Sequence, residues 1–148
     1  MQRTIVALAA VMLAGTAAAA VAPNTPTPMP AVKTKMKSVV DKSSTDLFNV
    51  AGEADPANGK DQKLPGAAGW AKLKKEADGL KTVADWMLKP ANGKTTEANW
   101  TKSAKDMSAL SAAASKAAAA KDAKALAQAA NDLSDTCTAC HKYYKKQD

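Results

Sequence analysis

Apolar residues recur along most of this chain at intervals of three and four, the spacing that lays them on one face of an α-helix. Val32, Met36, Val39 or Val40, Ser43, Leu47 and Val50 predict a first helix over 31–50. Trp70, Leu73, Ala77, Leu80, Ala84 and Met87 predict a second, which ends ahead of Pro90 because a residue before proline is driven out of the helical region. Trp100, Ser103, Met107, Leu110, Ala114 and Ala117 mark a third. It opens near Glu97, where a carboxylate suits the positive end of the helix dipole, with Thr95 or Thr96 as cap. Leu126, Ala130, Leu133, Cys137, Cys140 and Tyr144 mark a fourth. No glycine or proline separates the last two series. One helix over 97–145 would nevertheless be about 73 Å long at 1.5 Å per residue, too long for a domain of this size. A break at 120–122 is therefore expected, with Asp122 as N-cap of the fourth helix.

The intervening segments read as connections. Gly52, Pro56, Asn58, Gly59, Pro65 and Gly66 make 51–66 a loop, and Asn92-Gly93 makes a turn. Period-two alternation of β-branched and aromatic residues is missing, so no strand is expected. The alanine-rich stretch 112–130 reads as helix, since alanine has the best helix propensity and lets neighbouring helices approach closely. Four helices with short or moderate connections predict an all-α fold, an antiparallel up-down-up-down four-helix bundle.

The N-terminus is set apart from this pattern. Met1-Gln2-Arg3, the apolar run 5–14 and a string of alanines have the three-part layout of a secretory signal, predicted over 1–20 with cleavage after Ala20 or Ala22. A membrane anchor is the competing reading, but the apolar run is too short to span. Pro23, Pro26, Pro28 and Pro30 then fix an extended linker over 21–30, leaving one domain over 31–148. Export places the mature chain in the periplasm, with no stable insertion in the membrane.

Removing the signal takes the only arginine, Arg3, and leaves twenty lysines against fourteen carboxylates. Such a surface favours acidic partners. It does not predict nucleic-acid binding, because the lysines are scattered along the sequence and no recognition motif accompanies them.

Cys137-Thr138-Ala139-Cys140-His141 carries the chemistry. Cys-x-x-Cys-His is the attachment sequence of c-type haem, and residues three and four apart on a helix share a face. Both sulfurs would bind one haem c per chain as thioethers, and His141, the only histidine, would be the proximal iron ligand. A redox-active dithiol normally opens a helix in an α/β context, which is missing here. A closed zinc site needs a fourth ligand that no further cysteine or histidine supplies, which leaves a carboxylate or water to complete it.

In an up-down-up-down bundle the end of the fourth helix lies level with the start of the first, where Met36 sits, and beside it. Met36 is thus the predicted sixth ligand, with core filling as its ordinary alternative. Met87 lies level but diagonal, Met107 lies farther along, and Met29 falls in the linker. Trp86, Trp100 and Tyr144 are candidates to line the haem pocket, and Lys89, Lys142 and Lys145 to neighbour its propionates.

A four-helix pattern with Cys-x-x-Cys-His close to its C-terminus resembles the class II c-type cytochromes, the group of cytochrome c′ and the low-spin cytochromes c556; the likeness runs from Val32 to Tyr144. The opening of the first helix, Val32-Lys33-Thr34-Lys35-Met36-Lys37-Ser38-Val39-Val40, looks like the low-spin branch, in which an early methionine binds iron. The resemblance implies a periplasmic one-electron carrier with low-spin histidine/methionine iron, a binding protein and not an enzyme, that exchanges electrons with redox partner proteins bearing acidic docking surfaces. Two copies of such a bundle can pair as a homodimer. The alternative is a five-coordinate, cytochrome c′-like protein that binds nitric oxide (NO) or carbon monoxide (CO). A peroxidase would need a distal histidine or arginine, and neither is left.

Overall fold

The computed structural model describes residues 29–145. The signal expected over 1–20 and most of the linker expected over 21–30 lie outside the described residues. Every regular element within them is helical: α1 (Met29–Lys35), a wide turn (Met36–Val40), α2 (Asp41–Ala54), a 3₁₀ segment (Pro56–Asp61), α3 (Ala67–Met87), α4 (Ala98–Ala120) and α5 (Ala123–Tyr144). No helix among the described residues is long and apolar enough to cross a membrane.

The first helical arm starts at Met29, two residues before the expected Ala31. Pro30 falls in its first turn, where an amide has no intrahelical partner and its absence costs nothing. From Val32 through Met36 to Val40 the apolar positions step by four twice, and each step drifts about 40° around an α-helix. The turn at Met36 absorbs that drift: the Asp41 N–H reaches back five residues to the Met36 carbonyl. Val32, Val40, Ser43 and Leu47 are buried in consequence. Val40 is the buried valine of the pair, while Val39 packs at the core's margin beside Gly79.

The loop expected from residue 51 begins only after Ala54. A lone glycine weakens a helix by about 1 kcal/mol, too little to end it when Ala51 and Ala54 are buried on either side of Gly52. The free carbonyls at that end are met from the following segment: Asn58 Nδ2 donates to Gly52 at 2.8 Å, the Lys63 N–H to Glu53 at 2.8 Å and Gln62 Nε2 to Ala54 at 2.6 Å.

The break between the last two helices falls where expected. Lys121 takes the left-handed conformation at φ 56°, and the Asp122 carboxylate accepts the Ala125 N–H at 3.0 Å. Neither Thr95 nor Thr96 caps α4. Glu97 occupies the N-cap position without a side-chain bond to the helix, and the Thr95 carbonyl instead accepts the Thr101 hydroxyl at 3.0 Å.

α2 packs against α3 and α5, α3 against α4, and α4 against α5. Polar pairs fix the register. Asp78 and Asp85, seven residues apart on α3, accept the hydroxyls of Ser115 and Ser108, seven apart on α4, each at 2.6 Å and in reversed order. Ser43–Glu76 and Asp46–Lys72 run α2 against α3 in the same opposed sense. Trp100–Tyr144 and Ser103–Cys140 do so for α4 and α5. One end of the molecule therefore gathers the start of α1, the 88–97 connection and the last turns of α5. The other gathers 55–66 and 121–122. Leu47, Leu73, Leu80, Leu126 and Leu133 fill the core between them, each fully buried and contributing about 1.5–3 kcal/mol.

Candidate functional site

Leu126, Ala130 and Leu133 are 0%, 4% and 1% exposed, the inward stripe of α5. At 100° per residue the same stripe continues through Cys137, then between Cys140 and His141, to Tyr144. Burial does not continue with it. Cys137 and Cys140 are half-buried and His141 is exposed. A helix face that the rest of the fold covers completely thus loses its protein cover over the turns that carry two thiols and an imidazole.

Burial shifts the titration of all three groups. Both cysteines are free thiols. Burial pushes both above the ordinary thiol value; the neighbouring Cys140 adds to this for Cys137, while the Ser103 hydroxyl beside Cys140 pulls its thiol back. Partial desolvation, then the charge of Lys145, lower the His141 imidazole, which leaves the ring neutral with a nitrogen lone pair free near pH 7. Among the described residues no three His, Cys, Asp or Glu side chains converge to hold a metal ion by themselves. The motif offers two thiols and one imidazole from a single helix face, donors able to take a group bound through sulfur and nitrogen.

Comparison with protein-family models, with curated proteins and with solved structures finds no match.

The pocket candidates divide into two groups. Trp100 is 1% exposed; its Nε1–H donates to the Met87 carbonyl at 3.0 Å, and the Tyr144 ring meets it edge-on at 5.1 Å. Glu97 stands beside the Tyr144 hydroxyl, while Lys94 lies over the Tyr144 ring, 5.7 Å from its centroid, and also pairs with Glu97 at 2.8 Å. Burial, then Glu97, push the Tyr144 phenol up to about 12. On the other side Trp86 is half-buried beneath Lys35, whose Nζ is 5.9 Å from the ring centroid. Met36 heads the wide turn and packs, with Trp86 and Tyr144, against the margin of the core. Met87 is 2% exposed and belongs to the core itself.

Two features here have no signal in the linear sequence, and a third has only a partial one. Ser103 touches the Cys140 thiol. A groove of about 380 Å³ runs between α4 and α5 beside the motif, bordered by Ser103, Thr136, Ala139 and Tyr143. Gly93 admits no side chain, since a Cβ there would lie 1.8 Å from the Met87 carbonyl oxygen and 2.5 Å from Trp100 Nε1. Only the glycine itself, next to Asn92, marked the place.

Proposed function

We propose that this chain is an exported, mono-haem c-type cytochrome of the class II kind, an antiparallel up-down-up-down four-helix bundle that carries single electrons in the periplasm and catalyses no reaction of its own. What supports the reading above all is the uncovered stretch of the α5 stripe. Leucine and alanine give way there to Cys-x-x-Cys-His, at the point where protein stops covering the face. Cys137 and Cys140 would hold haem c as thioethers, and His141 and Met36 would bind its iron. The haem supplies a one-electron iron couple, whose potential histidine/methionine ligation raises. The chain's own residues shelter and orient it. Trp100 and Tyr144 brace the last turn of α5, and Trp86 and Met36, packed at the margin of the core, would shelter the group.

The test is expression in a host able to mature c-type cytochromes, followed by intact mass and absorbance spectra. One covalent haem per chain is expected, abolished in the Cys137→Ala/Cys140→Ala double variant. A colourless product with the mass of the bare polypeptide refutes the reading. Met36→Ala should convert a low-spin ferric spectrum to a high-spin one. The packing of Met36 against the core favours a second reading, a five-coordinate protein that binds NO or CO. Rapid CO binding by the reduced wild-type protein would select it.

A further inference from the structure

Three aromatic rings lead from the buried core to solvent at the end of α5. Trp100 is 1% exposed, and its Nε1–H donates to the Met87 carbonyl at 3.0 Å. The Tyr144 ring stands edge-on to it, with centroids 5.1 Å apart. Tyr143 follows, its centroid 6.3 Å from that of Tyr144, and is 60% exposed. Packing explains the first two rings, which cover one another at the margin of the core. It does not explain the third, which with Leu64 is one of two large apolar side chains left exposed among the described residues.

The surroundings of the rings differ in what they can do with a proton. A Trp100 that loses an electron has only a carbonyl beside its N–H, a hydrogen-bond acceptor but no base, so the radical keeps its positive charge and remains strongly oxidising. The Tyr144 hydroxyl stands beside the Glu97 carboxylate, which can accept its proton. Lys94 lies over the Tyr144 ring, 5.7 Å from its centroid, and pairs with Glu97 at 2.8 Å. That ammonium disfavours a second positive charge on the ring, so the electron leaves Tyr144 together with the proton. Tyr143 faces water, which takes its proton directly.

We propose that Trp100, Tyr144 and Tyr143 form a path along which an oxidising equivalent travels from the core to the surface. In the first step Tyr144 gives an electron to the Trp100 radical cation and its phenol proton to Glu97, which restores Trp100. In the second, Tyr143 gives an electron to the Tyr144 radical and its own proton to water, while Glu97 hands its proton back to Tyr144. A dissolved one-electron reductant such as ascorbate then restores Tyr143. The path belongs to the polypeptide. Its use, draining an oxidising equivalent when hydrogen peroxide attacks a haem at the motif, rests on the function proposed above.

A laser flash ejects an electron from tryptophan in the haem-free full chain, dissolved oxygen takes that electron as superoxide, and the tryptophanyl and tyrosyl radicals are followed by their separate visible bands. A phase independent of protein concentration is expected, in which the tyrosyl band rises as the tryptophanyl band falls. Tyr144→Phe and Trp100→Phe should each abolish it, and Trp86→Phe should keep it. Glu97→Gln should slow it about tenfold or more and make it quicken with buffer concentration, a response that lost packing would not give. Tyr143→Phe should keep the phase but shield the tyrosyl radical from added ascorbate. A phase that persists in Tyr144→Phe overturns the path, and an unchanged ascorbate reaction in Tyr143→Phe overturns its exit. Circular dichroism checks that each variant folds. With haem attached, hydrogen peroxide takes two electrons in becoming water, one from the ferric iron and one from the path. Rapid-freeze electron paramagnetic resonance should then show a tyrosyl radical that Tyr144→Phe replaces by a tryptophanyl one, and an unchanged tyrosyl signal overturns the path without recourse to the haem-free chain. A chain that takes up no haem yet shows the flash-induced phase refutes the carrier function and leaves the path standing.

Discussion

Replacing Gly93 by alanine should be among the most damaging single-methyl changes in the molecule. The added carbon would sit 1.8 Å from the Met87 carbonyl oxygen, 2.9 Å from its carbon and 2.5 Å from Trp100 Nε1. It cannot be accommodated by a side-chain rotation, because two of the three contacts are with backbone at the end of α3. Either the 88–97 connection moves or the Trp100 indole leaves the Met87 carbonyl, breaking a buried bond of 3.0 Å. Overpacking of this kind costs about 1–3 kcal/mol, and a buried donor left without a partner costs a similar amount. With partial relaxation the loss should be about 2–4 kcal/mol, or roughly 8–15 °C in Tm for a domain of this length. Trp100 braces Tyr144, one turn beyond His141, so the near-ultraviolet dichroism of the aromatics should weaken as well. Thermal melts of Gly93→Ala and Gly52→Ala make the comparison. A Cβ on Gly52 meets nothing within 4 Å, and in the last turn of α2 alanine should leave stability unchanged or raise it by up to about 0.5–1 kcal/mol. If Gly93→Ala melts within about 2 °C of the parent, the packing argument at this connection fails.

Ser111 is fully buried with its hydroxyl unpartnered, so Ser111→Ala should leave stability unchanged or raise it by up to about 1 kcal/mol in urea titrations, whereas Ser115→Ala, which strips Asp78 of a bond, should lower it by about 1–2 kcal/mol. Lys121→Gly should stabilise by roughly 0.5–1 kcal/mol, because relief of a left-handed lysine outweighs the extra freedom glycine brings to the unfolded chain; a loss in Tm would count against it. The Tyr144 phenol holds its proton to about 12, above the ordinary value near 10 of an unfolded tyrosine, so its contribution is complete below pH 10 and drains away as pH rises towards 12. Tyr144→Phe should remove the late phase from the phenolate absorbance titration and flatten that alkaline loss of stability; an unchanged late phase would contradict the assignment.

The long helices were legible because each repeats its apolar spacing over several turns, and the break near Asp122 because a helix of the alternative length would not fit. The turn at Met36–Val40 was not legible. Two successive steps of four are compatible with a drifting α-helix or a wide turn, and only packing against α3, where Val39 meets Gly79, selects between them. The end of α2 was misplaced for a related reason. Turn formers at 52–59 state a tendency, and the burial of Ala51 and Ala54 overrides the first of them. The motif needs only its own five residues, so the placing of Cys137, Cys140 and His141 together on one helix could be read directly. The surroundings of Tyr144 could not, because Lys94, Glu97 and Trp100 reach it from a different part of the chain.

The placement of the lysines bears on why the end that carries the motif is charged at all. Lys142 and Lys145 stand at the C-terminus of α5 and Lys89 just past that of α3, where a positive charge meets the negative end of a helix dipole and stabilises by about 0.3–1 kcal/mol. Stability alone would account for those three. It accounts less well for Lys33 and Lys35, which stand in the last turn of α1, because the chain continues there through Met36–Val40 into α2 and leaves few free carbonyls for them to meet. Nor does it account for the crowding, since like charges gathered on one face repel. The helix ends therefore offset only part of that repulsion.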